Sequence, residues 1–141
     1  MKKFLFTLLA CLTLSLNFAY ANPQIDKAYQ EKRSDVQVQG VGKVIKVLSD
    51  DNKGSRHQRF LLKLPSNLTI LVAHNIDLAK RIDSLKEGDS VEFYGEYEWN
   101  NKGGVIHWTH HDPRKKHKDG WLKHNGVIYQ WLKRMQKKRY I

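Results

Sequence analysis

SVEFYGEYEWNNKGGVIHWTHH, residues 90–111, is the stretch that decides the fold. From Ser90 to Trp99 apolar and polar side chains alternate, which is typical of a strand with one buried face. The Asn-Asn-Lys-Gly sequence at 100–103 predicts a hairpin turn. Residues 104–111 then predict a fifth strand that returns beside the fourth.

A four-residue turn determines which residues of these two strands face each other. Glu96 then lies opposite His107, and Glu92 lies opposite His111. Carboxylate and imidazole groups are thereby paired on the outer face of the sheet. The sequence predicts a ladder of six outward side chains: Glu92, Tyr94, Glu96, His107, Thr109 and His111.

Three more strands precede the hairpin. Residues 36–48 alternate and contain Gly40 and Gly42, which indicate a bend or bulge in a long strand. Residues 58–64 and 68–73 are the next two strands, and the latter is rich in apolar and β-branched residues.

Residues 76–86 predict a helix between the third and fourth strands. Leu78, Ile82 and Leu85 repeat at helical spacing, and Asn75 suits the N-cap position. The order β-β-β-α-β-β, with a bent first strand, predicts a mainly β protein with one helix, a small OB-like five-stranded barrel. An SH3-like barrel, which usually lacks such a helix, is the alternative.

Asn125-Gly126 predicts a C-terminal β-hairpin, because this dipeptide tolerates the two positive φ angles of a type I′ turn. The last eleven residues are basic. These patterns divide the chain into four parts: signal peptide 1–21, polar N-terminal segment 22–35, OB-like domain with C-terminal hairpin 36–130, and basic tail 131–141.

The first 21 residues have the features of a secretory signal. Lys2 and Lys3 precede an apolar run, which ends in Ala-Tyr-Ala at 19–21. A lipoprotein signal is the alternative, because Leu8–Cys11 loosely resembles a lipobox. Cys11 is the only cysteine, so the mature chain has neither disulfides nor thiolate chemistry. We expect a periplasmic or secreted monomer with no transmembrane span in the mature chain.

The charge is unevenly distributed. The chain has 25 Lys and Arg against 14 Asp and Glu. Residues 112–141 hold ten of these cations and two aspartates, whereas residues 22–111 hold thirteen cations and twelve acids. Such asymmetry favours contact with polyanions, although it is also typical of a solubilising tail. The polyanion-binding candidates are Arg114, Lys115, Lys116, Lys123, Lys133, Arg134, Lys137, Lys138 and Arg139.

Five of the seven histidines lie between His107 and His124. Strand alternation turns His110 and Asp112 towards the barrel mouth, while His107 and His111 face outward. His107 and His111 are therefore the candidate ligands for a divalent metal such as zinc, although ordinary salt bridges on an exposed sheet are the alternative. The full candidate site is Glu92, Glu96, His107, His110, His111, Asp112, His117 and His124.

HNIDLA (residues 74–79), GEYEWN (95–100) and HWTHHDP (107–113) are unusual strings. Together with GVGKVIKVLSDD and GWLKHNGVIYQ they resemble an uncharacterised bacterial family of exported proteins, domain of unknown function 3465. The resemblance covers residues 40–130. It implies an extracytoplasmic bacterial protein similar to small OB-like periplasmic modules, and it implies no catalytic residues.

Two functions fit these observations. The first is an extracytoplasmic OB-like binding module for a polyanion such as nucleic acid, lipopolysaccharide or an acidic glycan. The second is a metal-dependent hydrolase or nuclease that uses the histidine-rich segment. That segment loosely resembles ββα-metal nucleases, but Pro113 and the Asn-Gly hairpin replace the helix that those enzymes need.

Overall fold

Seven strands and one helix form within residues 22–132, the part of the chain that the structure, a computed structural model, describes. In chain order they are α1 (Pro23–Gln30), β1 (Val36–Val47), β2 (His57–Lys63), β3 (Thr69–Asn75), β4 (Ser90–Glu98), β5 (Val105–His107), β6 (Trp121–His124) and β7 (Val127–Tyr129). The predicted tail after Leu132 lies outside the described residues, as does the predicted signal segment 1–21.

Five strands close into a barrel in the order β1-β2-β3-β5-β4, and β1 also pairs with β4. The β3–β5 pairing is parallel, and the other barrel pairings are antiparallel. Lys43 lies where β1 passes from β4 to β2, and the register shifts between Val44 and Lys46. At Gly40 a Cβ would lie 2.7 Å from the Phe93 ring, so glycine allows the strand to approach the core closely. The mainly β, OB-like barrel with one helix is confirmed.

The helix precedes the barrel instead of interrupting it. Asn22 caps α1 by accepting hydrogen bonds from the N–H groups of Gln24 and Ile25, and Pro23 occupies the first turn, where its missing N–H costs nothing. Ile25 and Ala28 are buried in the same core as Phe60, Phe93 and Tyr97, as parts of one cluster. The N-terminal segment therefore helps to build the barrel core.

The predicted helix over residues 76–86 is wrong, because this segment forms successive turns. Ile82 is fully buried, as its spacing predicts, but its N–H and C=O bond the side chain of Gln58 at 2.9 Å each. The carbonyl of Lys80 bonds Nε2 of His74 at 3.1 Å. Buried side chains of β2 and β3 thus replace the hydrogen bonds that a helix would make internally.

β5 ends at His107, earlier than predicted. Trp108 has φ = 56°, a left-handed conformation that stops the strand. β6 then continues along the same edge of β4, with Glu92 opposite Lys123 and Tyr94 opposite Trp121. The predicted pairing of Glu92 with His111 is therefore wrong. The predicted C-terminal hairpin forms, with φ = 49° at Asn125 and 77° at Gly126.

Candidate functional site

The site begins at a predicted cross-strand pair that forms. Glu96 on β4 lies directly opposite His107 on β5. Glu98 follows on the same outer face, and its Oε1 lies 3.3 Å from Nε2 of His107. Glu96, Glu98 and His107 each offer one ligand atom, and these atoms all lie within 4.8 Å of one another. We call these three residues the carboxylate–imidazole cluster.

A returning loop covers this cluster. Residues 108–120 leave the end of β5 and fold back, so that Nδ1 of His117 lies 3.0 Å from Oε2 of Glu96. The imidazole of His117 also stacks on Trp108, with 3.8 Å between ring centroids and 9° between planes. The loop therefore joins two predicted candidates, Glu96 and His117, although sequence alone could not place His117.

Two aspartates hold the loop in this shape. Asp112 is buried, and its carboxylate accepts hydrogen bonds from three backbone N–H groups, those of Arg114, Lys116 and His117. Burial raises the pKa of Asp112, but the three donors together outweigh it and the net shift is downward. Asp119 accepts a hydrogen bond from the backbone N–H of Asp112 at 2.8 Å. Asp112 is thus a structural anchor of the loop.

Burial and neighbouring charges shift two pKa values in the cluster. Burial, reinforced by a hydrogen bond with the carboxyl group of Asp35 and opposed by His117, raises the pKa of Glu96. Burial lowers the pKa of His107, although Glu98 opposes the shift. This lowering of the His107 pKa favours the neutral imidazole, which is the form that can bind a metal or accept a proton.

The other predicted histidines are not part of the cluster. His111 Nδ1 lies 2.6 Å from Asp119 Oδ2, and its ring stacks on Trp131 at 3.7 Å. His110 is buried and its Nδ1 donates to the carbonyl of His111, so it faces neither His107 nor the cluster. The structure does not bring His107 and His111 together around one point.

Two more predicted site residues lie elsewhere on the barrel. His124 on β6 is almost fully buried, with Nε2 2.7 Å from Asp89 Oδ2. This hydrogen bond is the main reason that the pKa of Asp89 is lowered. Glu92 is exposed on β4, opposite Lys123. Both residues support the β4–β6 edge and take no part in the cluster.

A basic groove of about 460 Å³ adjoins the cluster. Tyr94 lies in this groove, and the Trp121 ring lies 6.2 Å from that of Tyr94. Four exposed cations of the loop, Arg114, Lys115, Lys116 and Lys118, form no ion pair within residues 22–132. The lining residues are Tyr94, His111, Lys115, His117, Lys118 and Asp119.

Of the predicted polyanion-binding residues, those in the loop lie at or beside the groove, and Lys123 lies half-buried on β6. Lys133, Arg134, Lys137, Lys138 and Arg139 lie outside the described residues. Sequence reasoning missed Asp35, Gln37 and Glu98 as site residues. Strand alternation could have identified two of them. Glu98 lies two residues after Glu96 and so on the same outer face of β4, and Gln37 lies on the outer face of the neighbouring strand β1.

The fold and site define a small OB-like barrel protein with a carboxylate–imidazole cluster and a basic groove on its outer wall. The chain belongs to the family described as Protein of unknown function (DUF3465), whose model matches residues 6–130. The resemblance stated from the sequence is thereby confirmed. No curated protein is significantly similar to the chain. Within residues 22–132 no helix has the length and apolar character needed to cross a membrane.

Proposed function

We propose that the protein is an extracytoplasmic binding module for a flexible polyanion, either nucleic acid or an acidic glycan. The observation that carries this proposal is the groove that Lys115, Lys118 and Tyr94 line, with the Trp121 ring 6.2 Å from that of Tyr94. Cations neutralise the backbone of such a ligand, and aromatic rings stack on its bases or sugar rings.

The loop is suited to this role because its backbone is held in place. Asp112 binds the backbone of Arg114 and Lys116, and it leaves their charged side chains exposed. An ordered loop loses less conformational entropy on binding than a free tail does. The groove can therefore contribute to affinity independently of the basic residues after Leu132.

The test is affinity for a fluorescent oligothymidylate and for a sulfated glycan, measured by anisotropy over a series of salt concentrations. We expect affinity to fall steeply with salt. A Lys115→Ala/Lys118→Ala variant is expected to reduce the slope by roughly 0.7 per lysine for a single strand. The probe that binds with the higher affinity identifies the class of ligand.

The matched control is Lys53→Ala/Lys102→Ala, which removes the same charge from exposed turns between strands. A chain that ends at Leu132 separates the groove from the tail. Equal loss of affinity in both double variants, or an affinity insensitive to salt, would contradict the proposed groove.

Export and the monomeric state are further parts of this proposal. The uncleaved and mature masses, together with cell fractionation, test the first. Light scattering of the purified protein tests the second. The alternative of a metal-dependent hydrolase stays a prediction.

A further inference from the structure

Two buried side-chain nitrogens within residues 22–132 have no hydrogen-bond partner, and they lie on either side of the same carboxylate. They are Nε2 of Gln37 and Nε2 of His107. Gln37 on β1 and His107 on β5 are the two residues directly opposite Glu96, one on each neighbouring strand. Buried polar groups are nearly always paired, so two orphans around one carboxylate indicate a missing ligand.

The distance between His107 and Glu98 fits two ligands of one metal ion. Ligand atoms on a tetrahedral zinc ion, at about 2.1 Å from the metal, lie about 3.4 Å apart. Nε2 of His107 lies 3.3 Å from Oε1 of Glu98, yet the pair lacks the geometry of a hydrogen bond. Two ligands of one metal ion lie this close without a hydrogen bond between them, because the lone pair of each ligand points at the metal.

Residues beside the cluster contact its members, as residues that orient metal ligands do. Nδ1 of His117 lies 3.0 Å from Oε2 of Glu96, and the carboxyl group of Asp35 lies beside the same glutamate. The amide of Gln37, opposite Glu96 on β1, can be turned by half a turn, which exchanges the positions of its oxygen and its nitrogen. Glu96 itself is only 9 % exposed, so a cation there would be largely shielded from water.

We propose that Glu96, Glu98 and His107 form a binding site for one divalent transition-metal ion of the zinc type. One imidazole nitrogen with two carboxylate oxygens suits such an ion better than Ca²⁺ or Mg²⁺, which prefer oxygen ligands alone. Three protein ligands leave a fourth position for water. The site uses His107, as predicted from sequence, but with two glutamates in place of His111.

The experiment is titration of metal-depleted, tag-free protein with Zn²⁺ by calorimetry and with Co²⁺ by visible absorption. We expect one equivalent of either ion, and a cobalt spectrum of low coordination number. His107→Ala and Glu98→Gln are each expected to weaken zinc binding by at least about 10–100-fold. Metal affinity falls by that much even when a residue that only orients a ligand is changed. Mg²⁺ and Ca²⁺ are not expected to compete.

His111→Ala is the matched control, because it removes a histidine of the same segment that bonds Asp119 outside the cluster. It is expected to bind Zn²⁺ like the unchanged protein. Glu98 is 47 % exposed, so Glu98→Gln tests the site without threatening the fold, which circular dichroism verifies. Absence of stoichiometric binding, or equal binding by the His107, Glu98 and His111 variants, would overturn the site. The metal titration is independent of polyanion affinity, so its outcome does not depend on the proposed polyanion-binding function.

Discussion

Nδ1 of His117 lies 3.0 Å from Oε2 of Glu96, and this contact fastens the basic loop to the barrel wall. Glu96 is nearly buried, whereas the His117 side chain is 37 % exposed. The histidine therefore supplies the partner that a buried carboxylate needs, and in return the carboxylate fixes the loop. The conformation of the groove depends on this contact.

His117→Ala is expected to destabilise the protein by about 1–3 kcal/mol, because it removes the imidazole that lies against the nearly buried carboxylate of Glu96. It also removes the ring that stacks on Trp108. Urea unfolding measures the loss, and amide hydrogen exchange should show faster exchange in residues 108–120 than in the barrel strands. Lys118→Ala, an exposed change in the same loop, is the control. If both variants have the same stability and exchange, the contact does not hold the loop.

His74 makes the fold sensitive to acid. It is fully buried, and burial lowers its pKa to about 4. Since an unfolded histidine titrates near 6.5, the unfolded state binds the proton more tightly than the folded state does. The contribution is complete above pH 6.5 and is lost as the pH falls towards 4, by about 3 kcal/mol.

His74→Gln is expected to remove most of this pH dependence while keeping a donor for the Lys80 carbonyl. The histidine donates there through Nε2, so Nδ1 accepts from the hydroxyl of Thr109 at 2.7 Å. The measurement is the urea midpoint of both proteins between pH 4 and 7.5. An unchanged difference between them across that range would show that His74 is not the responsible group.

Gln58→Met is expected to cost about 2–4 kcal/mol, although the two side chains have similar volume. The substitution leaves the N–H of Ile82 buried and unpaired, and it leaves the C=O of Ile82 with only the long hydrogen bond, 3.5 Å, from the N–H of Leu85. Chemical denaturation measures the loss. Gln24→Met, an exposed change on α1, should have almost no effect. A loss below about 0.5 kcal/mol for Gln58→Met would mean that water or a local shift satisfies Ile82.

Gly120→Ala is expected to lower stability by about 1–3 kcal/mol and to displace the loop. Gly120 is buried, and a Cβ there would overlap the backbone oxygens of Trp108 and Tyr94. Its N–H also donates to the carbonyl of His110 at 3.0 Å. Thermal unfolding checks the prediction, with Lys116→Ala as an exposed control. A melting temperature equal to that of the control would contradict the close approach.

The sequence predicted the parts of the fold that depend on local patterns. The Asn125-Gly126 turn and the alternation of β4 were sufficient, and the register of the β4–β5 hairpin placed Glu96 opposite His107. These features depend on neighbouring residues and on turn chemistry, both of which are visible in one chain.

The failures have long-range causes. The helical spacing of Leu78, Ile82 and Leu85 indicates burial correctly. The backbone there is bonded instead by Gln58, 24 residues before Ile82, and by His74 at the end of β3. Trp108 adopts a left-handed φ, which the neighbouring sequence does not predict. Once β5 stopped at Trp108, the ladder predicted to contain His111 could not form.

Two short strands, β5 and β6, share one edge of β4, and this arrangement allows the loop between them to change in sequence and length. β5 pairs with residues 96–98 and β6 with residues 91–94, so the loop between them leaves and rejoins the wall at neighbouring points. Insertion, deletion or replacement of residues 113–118 would leave every barrel hydrogen bond in register. The barrel can thus serve as a constant frame on which this one loop is exchanged.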